Sequence, residues 1–187
     1  MPNLPIFLRT IRSRSREHQR TMELLAGAGL AGQMVAILRQ ELDSMIRVIY
    51  LLTQNSGRRE YLIGTLIRGE KWTRENSRAK ITDRDMVDLA QKLQGWTKSV
   101  YKFGCAFIHL SCLHDYNDRD PLLQLPEHES SDIIEHCRYY HGGPAVGTTR
   151  FEDIVPYLPE VLKKISDNLD CYLEMLEDGE ILQPSEI

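Results

Sequence analysis

Aromatic residues are scarce in this chain, 7% of its 187 residues. Few runs alternate apolar and polar residues with period two. Both shortages argue against a sheet-built fold, whose strands draw on aromatic and β-branched residues in alternation. A basic surplus is also missing. The net charge is -4 and the pI is about 5.9, so the chain as a whole lacks the positive excess typical of nucleic-acid binders. A local basic patch stays open. No apolar stretch reaches the length of a membrane span. The start, MPNLPIFLRTIRSRSR, has too short an apolar run for a signal peptide, followed by arginines. A cytoplasmic protein is the expectation.

The cysteines, at 105, 112, 137 and 171, form no CxxC pair and no zinc spacing. Cys105 and Cys112 fall two turns apart on one expected helix, too far for a disulfide. Reduced thiols are expected. The histidines show no metal-ligand spacing either. His109 and His114 are five apart, whereas paired helical ligands need i,i+4. His128, His136 and His141 form no set. No lysine follows the glycines of His141–Thr149 in phosphate-loop spacing. No metal and no cofactor is expected. Cys137 beside His136 or His141 has the residue types of a nucleophile pair, but no third group to orient it.

What is present is helical periodicity, and it predicts an all-α antiparallel bundle of five to six helices in a single domain over residues 1–187. The first helix, about residues 5–28, carries Arg9, Arg12, Arg14, Arg16 and Arg20. They read either as a basic arm for RNA or an acidic partner, or as a solvated face; the solvated face is favoured because acid elsewhere offsets them. A broad apolar face predicts a buried second helix over about 31–54, with Arg39–Asp43 and Asp43–Arg47 pairs at i,i+4. A short helix follows at about 58–67. Trp72, in a charged loop, reads as a partner contact or as a lid over the core edge. Further helices are expected at about 131–140 and 151–177, with Pro156 and Pro159 in the first turns of the latter. Residues 178–187 read as a loose acidic tail.

The densest chemistry lies in Trp96–Pro121. One helix from about Asp83, behind a Thr82 N-cap, to about Tyr116 is expected here, with the rest of the chain as its scaffold. A core stripe runs Met86, Leu89, Leu93, Trp96, Val100, Phe103, Phe107, Leu110. A second stripe runs Lys102, Cys105, His109, Cys112, Tyr116. Lys102 and His109, seven apart, would leave the same side of that helix. A histidine to take a proton from a ribose 2′-hydroxyl and a cation to stabilise the phosphorane is the chemistry of metal-free RNA cleavage. The plainer reading is a snorkelling lysine and a boundary histidine. The stripe is too polar for core and too apolar for open solvent, so we expect it to line a homodimer cleft.

The segment V-Y-K-F-G-C-A-F-I-H-L-S, with its K-x6-H, resembles the HEPN superfamily, whose motif is R-x(4–6)-H on a late helix of an all-α bundle. The resemblance covers about residues 31–177, with residue-level matches in Lys102–Ser111; residues 1–30 would be an N-terminal basic helix. It implies a dimer with both motifs in one cleft, RNA binding, and metal-independent ribonuclease activity of a toxin–antitoxin or phage-defence kind, with an antitoxin or regulatory protein as partner. His109 and Lys102 would be catalytic. Glu41, Arg47, Cys105, Ser111 and Tyr116 would line the binding cleft. Lysine replaces the family arginine, and Phe103 replaces the polar residue that follows it, so the bidentate grip on phosphate is lost. His114-Asp115-Tyr116 is similar to the H-x-Y end of HEPN toxins modified by a nucleotidyltransferase, but no arginine precedes it at the matching distance. The alternative is a non-catalytic helical interaction module holding a partner protein or nucleotide.

Overall fold

The computed structural model describes residues 2–147 and 149–182. The protein is all-α. Its helices are α1 (Leu4–Gly27), α2 (Ala31–Leu52), α3 (Ser56–Ile67), α4 (Asp83–Gln94), α5 (Thr97–Ile108), α6 (Glu127–His141), the single turn α7 (Phe151–Ile154) and α8 (Leu158–Glu177). Among the described residues the only strand-like feature is an isolated bridge between Thr73 and Lys80. No helix of these residues is long and apolar enough to cross a membrane.

The organising helix is α2, not the Trp96–Pro121 stretch. α2 packs against α8, α5, α1 and α4. A helix buried over most of its surface must be apolar over most of it. Val35, Leu38, Leu42, Met45, Ile46, Val48, Ile49 and Leu52 satisfy this and are all buried. One buried cluster runs from Phe7 to Leu182, so α1 shares the common core.

The expected helix from Asp83 to Tyr116 is two helices and a loop. Thr82 does cap α4, in a reciprocal capping box with Asp85. Gly95 then adopts a left-handed conformation, φ 75°, which glycine takes without a Cβ penalty. Gln91 of α4 accepts hydrogen bonds from the Thr97 hydroxyl at 3.1 Å and the Lys98 amide at 2.8 Å. The end of one helix thereby satisfies the start of the next. α5 stops at Ile108, and His109 is extended. The chain turns because Leu113 and Tyr116 fold back: Leu113 is buried, and Tyr116 packs on Phe107 and Phe151. Leu110, assigned to the core stripe, is 96% exposed.

Smaller departures have similar causes. The last helix is interrupted: residues 155–157 are 3-10, with Pro156 inside that turn and Pro159 in the first turn of α8. Proline lacks the amide that would continue the α ladder. α6 begins at Glu127, earlier than expected. Arg39 does not pair with Asp43; it donates to Asp83 at 3.0 Å. Arg47 takes Asp43 and Asp83 together. Trp72 is a lid: it is buried and its indole N–H donates to the Leu62 carbonyl at 2.8 Å. The tail is docked as far as Leu182, whose amide donates to the Leu52 carbonyl at 3.0 Å. Residues 183–187 of the expected loose tail lie outside the described residues.

Gly104 sets the α2–α5 distance. A Cβ there would stand 2.5 Å from Arg39 Cβ and 3.4 Å from Arg39 Cα. Neither atom is the free end of a side chain, so the helices would have to separate. Gly104→Ala is expected to cost about 1–3 kcal/mol by overpacking. The check is the urea midpoint; an unchanged midpoint would show that α5 shifts without loss.

Candidate functional site

The two residues singled out for catalysis are not brought together within the chain. Lys102, on α5, donates to Glu129 of α6 at 2.9 Å. His109 lies beyond the end of α5, exposed, in extended backbone. The second stripe therefore does not exist as one helical face, because its lower half is loop.

The residues assigned to binding are also dispersed. Glu41 is fully buried between α1, α2 and α8, accepting from Ser15 at 2.5 Å, His18 at 2.6 Å and Ser166 at 2.9 Å. Burial alone would raise its pKa; the bonds from His18, Ser15 and Ser166 outweigh that and hold the carboxyl below its ordinary value. Arg47 bridges two aspartates and lies over the Trp72 ring. Cys105 accepts from the Arg39 guanidinium at 3.4 Å, while the same guanidinium stacks on Tyr101. The Ser111 hydroxyl donates to the Ala106 carbonyl and accepts from the Leu113 amide, holding the turn after α5. Tyr116 fills the aromatic cluster, against the α2 glycine Gly32. Each of these five residues makes contacts within the fold, and they do not line one common cleft.

The arginine-rich face of α1 is partly neutralised. Arg12 pairs with Glu177 at 2.7 Å and Arg14 with Asp43 at 3.5 Å. Arg9, Arg16 and Arg20 are exposed, in keeping with the solvated-face reading.

A different site is built where α5, α6 and α8 meet over α2. Two hollows adjoin there. The first is a cavity of about 80 Å³ with apolar walls from Val35, Leu38, Phe103, Leu158, Val161 and Ile165. The second is a polar cleft of about 330 Å³ between α5 and α6, edged by Lys98, Lys102, His128, Glu129 and Asp132. Ser99 and His136 belong to both, their Oγ and Nδ1 atoms 3.4 Å apart. The α6 residues follow from helical spacing: His136 and Tyr140 are four apart, as are Cys137 and His141, so all four crowd one side. α8 supplies Lys164, whose ammonium lies 4.1 Å from the Tyr140 ring centroid and 5.9 Å from that of Trp96.

Burial raises the Cys137 thiol to about 11, against a smaller opposing effect of Arg138, so the thiol stays protonated at neutral pH. Burial also lowers the His141 pKa, and the Lys164 charge lowers it further. The four cysteines are unpaired. Among the described residues no group of three His, Cys, Asp or Glu could hold a metal ion.

Sequence reasoning reached Lys102, His136, Cys137 and His141 one by one but not the site. The i,i+4 spacing on α6 was the available signal. Lys164 stands 23 or more positions further along the chain, and only packing of α8 brings it there.

Compared with protein-family models, curated proteins and solved structures, the chain matches none. The HEPN resemblance rests on the Lys102–Ser111 sequence alone.

Proposed function

We propose that this chain is a non-catalytic helical binding module whose α5–α6–α8 cavity holds the apolar part of a small ligand. The observation that carries this reading is the junction of an apolar-walled cavity with a polar cleft across Ser99 and His136. Concave apolar sites edged by a few polar groups are where proteins take small molecules. The protonated Cys137 points away from thiolate chemistry.

Thermal unfolding against a panel of small apolar and amphipathic compounds tests this. A true ligand at a hundred times its Kd stabilises the fold by about 2.7 kcal/mol. Val161→Phe fills the cavity and is expected to abolish that response. A shift that survives Val161→Phe would place the ligand elsewhere and end this reading.

A second reading draws on the cleft. Lys98, Lys102, His128 and His136 stand around it, which favours an RNA-binding module of the HEPN kind. Glu129 occupies Lys102 and Asp88 occupies Lys98, so RNA phosphates would have to displace carboxylates. Cleavage by His109 would require that residue from a second protomer. Filter binding of an RNA pool, lost in Lys98→Ala/Lys102→Ala, with no small-molecule response, would transfer the function to RNA. Cleavage in EDTA that His109→Ala abolishes would make it a ribonuclease.

A further inference from the structure

Lys164 is out of place on an apolar rim. The cavity below it is walled by Val161, Leu158 and Ile165 of its own helix. Its ammonium rests over Tyr140 and Trp96. It takes part in none of the ion pairs made by the described residues, although its neighbour Lys163 pairs with Asp167 at 2.6 Å. Aromatic faces attract a cation without neutralising it. The result is a half-buried ammonium at the edge of an apolar pocket, resting over two rings. The complement is an anion attached to a short apolar body.

We propose that the α5–α6–α8 cavity binds a short-chain monocarboxylate, its chain in the cavity and its carboxylate on Lys164. This rests on the reading of the cavity as a ligand pocket and adds the chemical class of the ligand. Size limits the chain. An engineered apolar cavity of roughly 150 Å³ takes benzene; at about 80 Å³ this one takes a chain of about three to five carbons. The head group stays at the rim, where a charge-assisted contact with the ammonium is stronger than a neutral hydrogen bond. The deep wall offers the carboxylate nothing. Cys137 lies there as a neutral thiol, and a charge carried down to it would be desolvated without a partner. The His141 ring beside Lys164 is an uncharged donor or acceptor at neutral pH and adds no repulsion.

Titration calorimetry with hexanoate, pentan-1-ol and pentylamine, which share one five-carbon chain and differ in head group, is the test. Hexanoate is expected to bind about tenfold tighter than pentanol, a difference of about 1.4 kcal/mol, and pentylamine weakest. Lys164→Met keeps the apolar stem on the rings and is expected to erase the preference for hexanoate while leaving pentanol unchanged. Lys164→Arg should retain it. Equal binding of hexanoate and pentanol in the unmodified protein would overturn the proposal and leave the apolar pocket standing. A hexanoate preference that survives Lys164→Met would also overturn it. Binding of none of the three, or binding insensitive to Val161→Phe, would overturn both the proposal and the pocket.

Discussion

Replacing Glu41 with alanine is expected to lower folding stability by about 3–5 kcal/mol, the cost of stranding several buried polar groups that share one acceptor. The carboxylate is wholly buried and is the shared acceptor for Ser15 and His18 of α1 and Ser166 of α8. Its removal strands a buried imidazole and two hydroxyls, each a polar group without its partner. Three helices meet at this one side chain, so no single helix can relax to hide the loss. Glu41→Gln retains the shape but not the charge and is expected to cost roughly 1–3 kcal/mol. Urea unfolding of the two variants against the wild type measures both. A loss below about 1 kcal/mol for Glu41→Ala would mean that water or a rearranged α1 replaces the carboxylate.

The same residue gives the protein an acid limit. Its folded pKa lies below the ordinary 4.5. At acid pH the unfolded chain therefore binds the proton more readily than the folded one, and stability falls as pH falls. The contribution is complete above about 4.5, near the unfolded value, and is lost as pH drops through the folded pKa. Asp170 acts in the opposite sense, because burial raises its carboxyl against the pull of Arg12. The comparison of wild type with Glu41→Gln reads the Glu41 carboxyl together with the His18 ring that touches it. Their stability difference is expected to shrink as pH is lowered from 6 toward the acid limit. A difference independent of pH would show that the neutral and ionised carboxyl serve equally well.

Arg59→Met is expected to cost about 3–5 kcal/mol. Arg59 is 1% exposed, yet its partners are not acids. Its guanidinium donates to the carbonyls of Leu51 at 2.8 Å and Leu52 at 2.9 Å and to that of Glu180. The first two are carbonyls of the last turn of α2, beyond the reach of the helix's own i,i+4 ladder; each also accepts one amide, from Gln54 and from Leu182. A cation there also meets the negative end of the helix dipole. Burial lowers the Arg59 pKa, but the ordinary value is so high that the group stays charged at any working pH. Methionine fills much of the volume and makes none of the bonds, so the Leu51 and Leu52 carbonyls keep only the amides of Gln54 and Leu182 and three charge-assisted bonds are lost. The docked segment up to Leu182 is expected to detach first, because Glu180 loses its tie. Denaturant midpoints and hydrogen exchange at the amides of residues 179–182 are the measurements. Arg68→Met, at an exposed Arg68–Glu70 pair, is the control and is expected to leave the midpoint in place. Equal midpoints for the two variants would show that Arg59 is replaceable.

Helix identity was legible in this sequence because it is set locally. Apolar stripes of period 3.6 placed α1, α2, α3 and α8, and the Thr82 N-cap placed the start of α4. The all-α class follows from those stripes together with the shortage of aromatic and alternating runs. Thr82 to Tyr116 shows where local reasoning ends. Its apolar positions keep helical phase across Gly95 and across His109, so periodicity joins what the fold divides. A left-handed glycine costs little and leaves no gap in the pattern, and the refolding of Leu113 and Tyr116 onto Phe107 and Phe151 depends on where α2 and α7 stand. Partners in space were equally hidden. Arg39 chose Asp83 over Asp43, and Lys102 chose Glu129 over any role beside His109, because those carboxylates sit on helices 27 to 44 positions away in the chain. The cavity under Lys164 has no sequence signature at all. It is the space left between the side chains of four helices, and only their packing decides its size, its apolar walls and the charge at its mouth.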